Sequence, residues 1–127
     1  MAVQMVKLLC GEGTVDLRIP ESVKVLEMQP AKPLSDPDGA VRQALTNPIE
    51  SPPLKELARN KKDACVVISD ITRPVPNRII LPPMLKILKE SGIKKEDITI
   101  LIATGMHRPN QGEELESMVG REIMDNY

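Results

Sequence analysis

The stretch that decides the fold is Ala64–Asn110, "ACVVISDITRPVPNRIILPPMLKILKESGIKKEDITILIATGMHRPN". Two short apolar runs stand out in it, "ACVVIS" at Ala64–Ser69 and "ITILIA" at Ile98–Ala103. Each is rich in β-branched residues, too short for a typical helix, and apolar without alternation, which reads as a strand buried on both faces of a parallel sheet. Between them, Leu81, Leu85 and Leu88, with Met84 and Ile87, recur at helical spacing. Proline is tolerated only near a helix start, so Pro82 and Pro83 predict an irregular turn, with Asn77 as a candidate cap, and then a helix from about Pro82 to Ser91 that Gly92 closes. Strand, helix and strand make a βαβ unit, whose right-handed crossover leaves the two strands parallel.

Parallel strands joined by a crossover end on the same sheet edge. The segments that follow the two runs, Asp70–Arg73 and Thr104–Arg108, are therefore expected side by side, where open α/β sheets bind ligands. Their chemistry suits an anionic ligand. Arg73 and Arg108 carry fixed positive charge and a forked set of donors matched to a carboxylate or phosphate. An ion pair between one of them and Asp70 is the competing reading. Asp70 can hold Arg73 or a histidine ring, and Thr72 can donate to an oxyanion or close a turn. His107, the only histidine in the chain, sits in a strand-end loop beside an arginine, and an unperturbed value near 6.5 lets it exchange a proton near neutrality. One histidine and scattered thiols cannot build a closed metal coordination sphere, so no metal site is expected within this chain.

The flanking sequence predicts smaller elements. "VQMVKLLC" and "TVDLRIP" around "GEG" read as a hairpin, with "SVKVLEM" as a third short strand. The "GEG" is a turn rather than a phosphate loop, because a strand and not a helix follows it. Ser35 or Asp36 can cap a helix with Pro37 at its first position, stopped by Pro48; Ser51 and Pro52 repeat that grammar ahead of Leu54, Leu57 and Ala58. A chain of 127 residues fits one α/β domain over 1–127, a small parallel sheet flanked by helices behind a β-hairpin.

Composition narrows the partners. A net charge of -1 and 1% aromatic residues, Tyr127 alone, offer neither the basic surface nor the stacking platforms that nucleic acid requires. Cys10 and Cys65 each lie in an apolar run and are expected as buried thiols in a reducing compartment, hence a cytoplasmic protein. No apolar run approaches the ~20 residues of a membrane helix, so no membrane partner is expected.

"DITRP" followed by "ILPP" and then by "ATGMHRP" resembles the N-terminal domain of the nickel-dependent lactate racemase family. "GEGTVDLRIP", "DPDGAVRQAL" and "NPIESPPLKEL" are similar to its earlier segments, in the same order. The resemblance implies a racemase or epimerase of 2-hydroxy acids that uses a nickel pincer nucleotide, with proton abstraction from the substrate hydroxyl and hydride transfer from carbon to the cofactor. It implies His107 as one of two paired acid/base histidines, Arg73 as the holder of the substrate carboxylate, and Asp70 and Thr72 as its supports; Arg108 joins them as a candidate substrate-binding residue. Members of that family continue into a larger part that carries the cofactor-anchoring lysine, the nickel-binding histidine and the second acid/base histidine. The partners implied are thus a small 2-hydroxy acid and the C-terminal domain of the same protein, and this chain alone is expected to hold no cofactor and to be inactive. A free-standing anion-binding or protein-interaction module is the alternative.

Overall fold

A computed structural model describes residues 2–127. The chain forms two compact units that divide after Pro33. In the first, β1 (Val3–Cys10) and β2 (Gly13–Pro20) pair antiparallel, with Cys10 opposite Gly13. The two-residue turn between them places Gly11 at φ 58°, the left-handed region that a tight hairpin needs and glycine enters without penalty. Val6, Leu8, Val15, Leu17 and Ile19 share one face of this ribbon, and the Lys7–Asp16 pair, 3.1 Å apart, lies on the other. The expected third strand does not form: residues 24–34 carry no regular structure.

The second unit, Leu34–Tyr127, is built around β3 (Ala64–Ser69) and β4 (Ile98–Ala103), which pair in parallel with Ala64 opposite Ile98 and Ser69 opposite Ala103. Helix α3 (Asn77–Glu90) makes the crossover between them. Helices α1 (Pro37–Thr46), α2 (Leu54–Leu57) and α4 (Glu113–Val119) pack on α3, and α5 (Arg121–Met124) follows α4. Ile68 and Ile98 from the sheet meet Leu81, Leu85 and Leu88 of α3 and Met118, Val119 and Ile123 of the C-terminal helices in one buried cluster. Each such side chain contributes ~1.5–3 kcal/mol by leaving water.

Several expectations change. Helix α3 starts at Asn77, five residues before the predicted start, and runs through both prolines. Pro82 and Pro83 leave the Arg78 and Ile79 carbonyls without their helical donors, a local cost of ~3 kcal/mol or more for each proline. Winding Ile79, Ile80 and Leu81 into the helix half-buries the two isoleucines and buries Leu81 almost completely, and that tertiary gain offsets the loss. Asp36 caps α1, its carboxylate accepting from the Gly39 N–H at 2.9 Å. Ser51 does not cap α2; its hydroxyl bonds the Pro52 carbonyl, and Pro53 disfavours a helical conformation at Pro52, so the helix begins only at Leu54.

The sheet is also covered on one face only. Val66, Ile100 and Ile102 face the helices, whereas Cys65, Val67, Thr99 and Leu101 are exposed on the other side. Cys65 is therefore exposed rather than buried, and Cys10, at the end of β1, is exposed as well. No helix among the described residues is long and apolar enough to cross a membrane.

Candidate functional site

The parallel pairing brings the loops after β3 and β4 to one edge, as the chain pattern predicts. Asp70 leaves β3 and turns at once, with the Arg73 N–H bonded to the Asp70 carbonyl at 3.1 Å. Thr104 leaves β4 into a matching turn closed by His107 N–H on the Thr104 carbonyl at 2.9 Å. Gly105 occupies that turn at φ 58°, with nothing within 4 Å of where a Cβ would lie, so its role there is purely conformational.

The two turns meet through their side chains. His107 Nδ1 lies 2.5 Å from Asp70 Oδ2, and Asp70 Oδ1 accepts from the Thr72 hydroxyl at 2.7 Å. Thr72 in turn accepts from Arg73 at 2.9 Å. Asp70 is 5% exposed, yet its carboxyl is held below the ordinary range, first by the Thr72 hydroxyl and then by the histidine ring. An ionised carboxylate can only accept, so the proton of a neutral His107 sits on Nδ1 and Nε2 keeps its lone pair. The ring is 53% exposed and its Nε2 has no hydrogen-bond partner among the described residues. A base with a fixed tautomer and an open nitrogen results.

His107, Asp70 and Arg73 line an open cavity of about 480 Å³, with Ser69, Thr104 and Gly105 completing its polar wall. Arg73 gives one donor to Thr72, so the remaining N–H groups of its fork are free to face a ligand. Arg108 is placed elsewhere. Its guanidinium grips Glu114 on the first turn of α4 with two bonds of 2.8 and 2.7 Å, which raise the arginine and lower the acid. Asn110, 6% exposed, donates to the same carboxylate at 2.9 Å and accepts from the Ile71 N–H at 3.4 Å. This second network ties the loop after β4 to the loop after β3. Asn110 and Glu114 were not singled out from sequence; the polar pair four residues apart at a helix entrance, "NQGEE", was the available signal.

Comparison with known proteins agrees with this architecture. A family model described as the lactate racemase N-terminal domain matches residues 10–127. The chain belongs to that family. Over 86 residues, 68% of the chain, it is 46% identical to a lactate racemase from Lactiplantibacillus plantarum and 41% identical to one from Thermoanaerobacterium thermosaccharolyticum. Those 86 residues are 20% of each relative. The solved structure of the lactate racemase apoprotein from Thermoanaerobacterium thermosaccharolyticum superposes with a TM-score of 0.74 at 30% identity, covering 97% of this chain and 28% of that one.

As a lactate racemase N-terminal domain, the chain brings His107, Asp70 and Arg73 to one edge of its parallel sheet. No group of three or more His, Cys, Asp or Glu side chains among the described residues could hold an ion. His107 already commits Nδ1 to Asp70, and no lysine lines the cavity.

Proposed function

We propose that this chain is the substrate-side domain of a 2-hydroxy-acid racemase of the lactate type, with His107 as acid/base catalyst and Arg73 as carboxylate holder. The reading rests on one observation above all: a buried carboxylate fixes the histidine tautomer, and the free nitrogen shares a cavity with an arginine that has donors to spare. The substrate carboxylate takes the fork of Arg73. Its hydroxyl then lies against His107 Nε2, which removes the hydroxyl proton and later returns it. Asp70 stabilises the imidazolium formed in between, and Thr72 keeps Asp70 and Arg73 in register. A nickel pincer nucleotide, if bound beside this domain, would supply the hydride-accepting chemistry. By itself the chain is proposed to be inactive.

His107→Gln, made in the product of the complete reading frame and assayed for racemisation in both directions, should lower turnover by at least ~100-fold with little change in substrate affinity. Near-normal turnover would remove His107 from the mechanism. A lactate titration of the chain followed by NMR should move residues 70–73 and 104–107 first. Shifts confined to other surfaces would favour a non-catalytic module.

A further inference from the structure

A second cavity, of about 390 Å³, opens beside the first at the start of α3. Its polar wall is Asp70, Arg73, Asn77, Arg78 and Ser117. We propose that it binds a phosphate-class oxyanion, held by Asn77, Arg78 and the first turn of α3. Four observations lead there. Asn77 is 5% exposed, yet its amide makes no side-chain hydrogen bond to the described residues and lines the cavity. Its side-chain nitrogen and oxygen are not sealed from solvent, so the amide offers free hydrogen-bonding groups to whatever occupies the cavity.

The start of α3 is also electropositive and uncapped. Pro76 stands at the N-cap, no side chain caps the helix, and its first turn holds no acidic residue. The Asn77 N–H goes to the Val75 carbonyl, and those of Ile79 and Ile80 both go to the Pro76 carbonyl, which leaves the Arg78 N–H without a backbone partner. A helix of this length places the positive end of its dipole there.

Arg78 adds a full charge with no acidic partner among the described residues. Its guanidinium passes over Gly120, where a Cβ would come within 3.4 Å of Nε, so the bare glycine backbone leaves room for it at the cavity wall. Arg73 borders both cavities and adds a second cation. Asp70 is the one acid in the wall, and its single negative charge is outweighed by the two arginines; its oxygens already accept from Thr72 and His107, and Ser117 donates to the Glu114 carbonyl. Donors from a helix turn, an amide and two guanidinium groups converge from several directions, which suits a tetrahedral dianion better than a flat carboxylate.

Arg73 is shared with the catalytic reading, whereas Asn77 and Arg78 have no part in it, so the test is read at those two residues. The test is a titration of the 127-residue chain with inorganic phosphate at pH 7, followed by 1H–15N NMR, with sodium chloride keeping the ionic strength constant. Saturable shifts should appear at the Asn77 side-chain amide and the Arg78 and Ile79 N–H groups. Arg78→Gln should weaken the affinity by about 10-fold or more, as loss of a charge-assisted bond predicts, and His107→Gln should leave it unchanged. Arg78 is exposed, so its substitution reads binding without disturbing the core. A parallel titration with glycerol 3-phosphate separates the sources: tighter binding assigns the site to the phosphate of a larger ligand, and equal binding to the free ion. Shifts that fail to saturate, follow chloride equally, or survive Arg78→Gln undiminished would overturn the proposal. Lactate shifts at 104–107 would then still support the racemase reading, so the two ideas fail separately.

Discussion

Replacing Asp70 with asparagine isolates the step on which the proposed chemistry turns. The carboxylate accepts two hydrogen bonds, 2.7 Å from the Thr72 hydroxyl and 2.5 Å from His107 Nδ1. An asparagine of the same shape has one acceptor and one donor, so it cannot satisfy both. With its oxygen kept on Thr72, its NH₂ faces Nδ1, and the imidazole meets that donor only by moving its proton to Nε2. The nitrogen that faces the cavity then carries a proton and cannot take another from a hydroxyl. Loss of a positioned base is worth ~10²–10⁴ in rate, and a wrong-tautomer histidine in the serine-protease triad loses about 10⁴. Turnover of the Asp70→Asn enzyme should fall within that range, while the apparent Michaelis constant changes little, since the Thr72 acceptor and the Arg73 fork remain. A direct readout needs no cofactor: 15N shifts of the neutral His107 ring should report Nδ1–H in the parent chain and Nε2–H in the variant. An unchanged tautomer, or turnover within about threefold of the parent, would refute the role given to Asp70.

Other consequences can be checked independently. Arg73→Lys keeps the charge and loses the fork, so racemisation kinetics should show a raised apparent Michaelis constant, on the order of 10-fold, with a smaller effect on turnover. Leu81→Ala empties the most buried position of the core and should cost ~2–5 kcal/mol by chemical denaturation. The carboxyls of Asp70 and Glu114 are held low in the folded chain, so each confers stability that is complete above its unfolded value, about 3.9 and 4.3, and lost as the pH falls through the lower folded value. Thermal melts should accordingly agree between pH 7 and about 5 and drop below about pH 4, and the combined Asp70→Asn and Glu114→Gln variant should lose most of that dependence.

What the sequence disclosed follows from the range of the forces involved. The runs Ala64–Ser69 and Ile98–Ala103 declared themselves as strands because short β-branched segments have few other uses, and the crossover between them fixed their direction. The start of α3 was misplaced because the cost of Pro82 and Pro83 is local and visible in the chain, whereas the burial of Ile79, Ile80 and Leu81 that outweighs it exists only after folding. The same limit applies to Cys65. An unbroken apolar run does not say whether one or both faces of a sheet are covered, and here Cys65 and Val67 point from the open face.

The site divides along that line as well. Asp70 and His107, 37 residues apart in sequence, were predictable neighbours because strand topology alone brings the ends of β3 and β4 together. The partner of Arg108 was not, since a separation of six residues from Glu114 across Pro109 and Gly112 matches neither helical nor strand periodicity. That pairing has a consequence for the chemistry. By engaging Glu114, Arg108 helps to hold the carboxylate that Asn110 also binds, and Asn110 reaches across to the Ile71 N–H. Ile71 follows Asp70 directly, so the clamp fixes the backbone from which the tautomer-setting carboxylate projects. Through Glu114 and Asn110, Arg108 is thereby linked to the same edge at which Asp70 and His107 meet 2.5 Å apart.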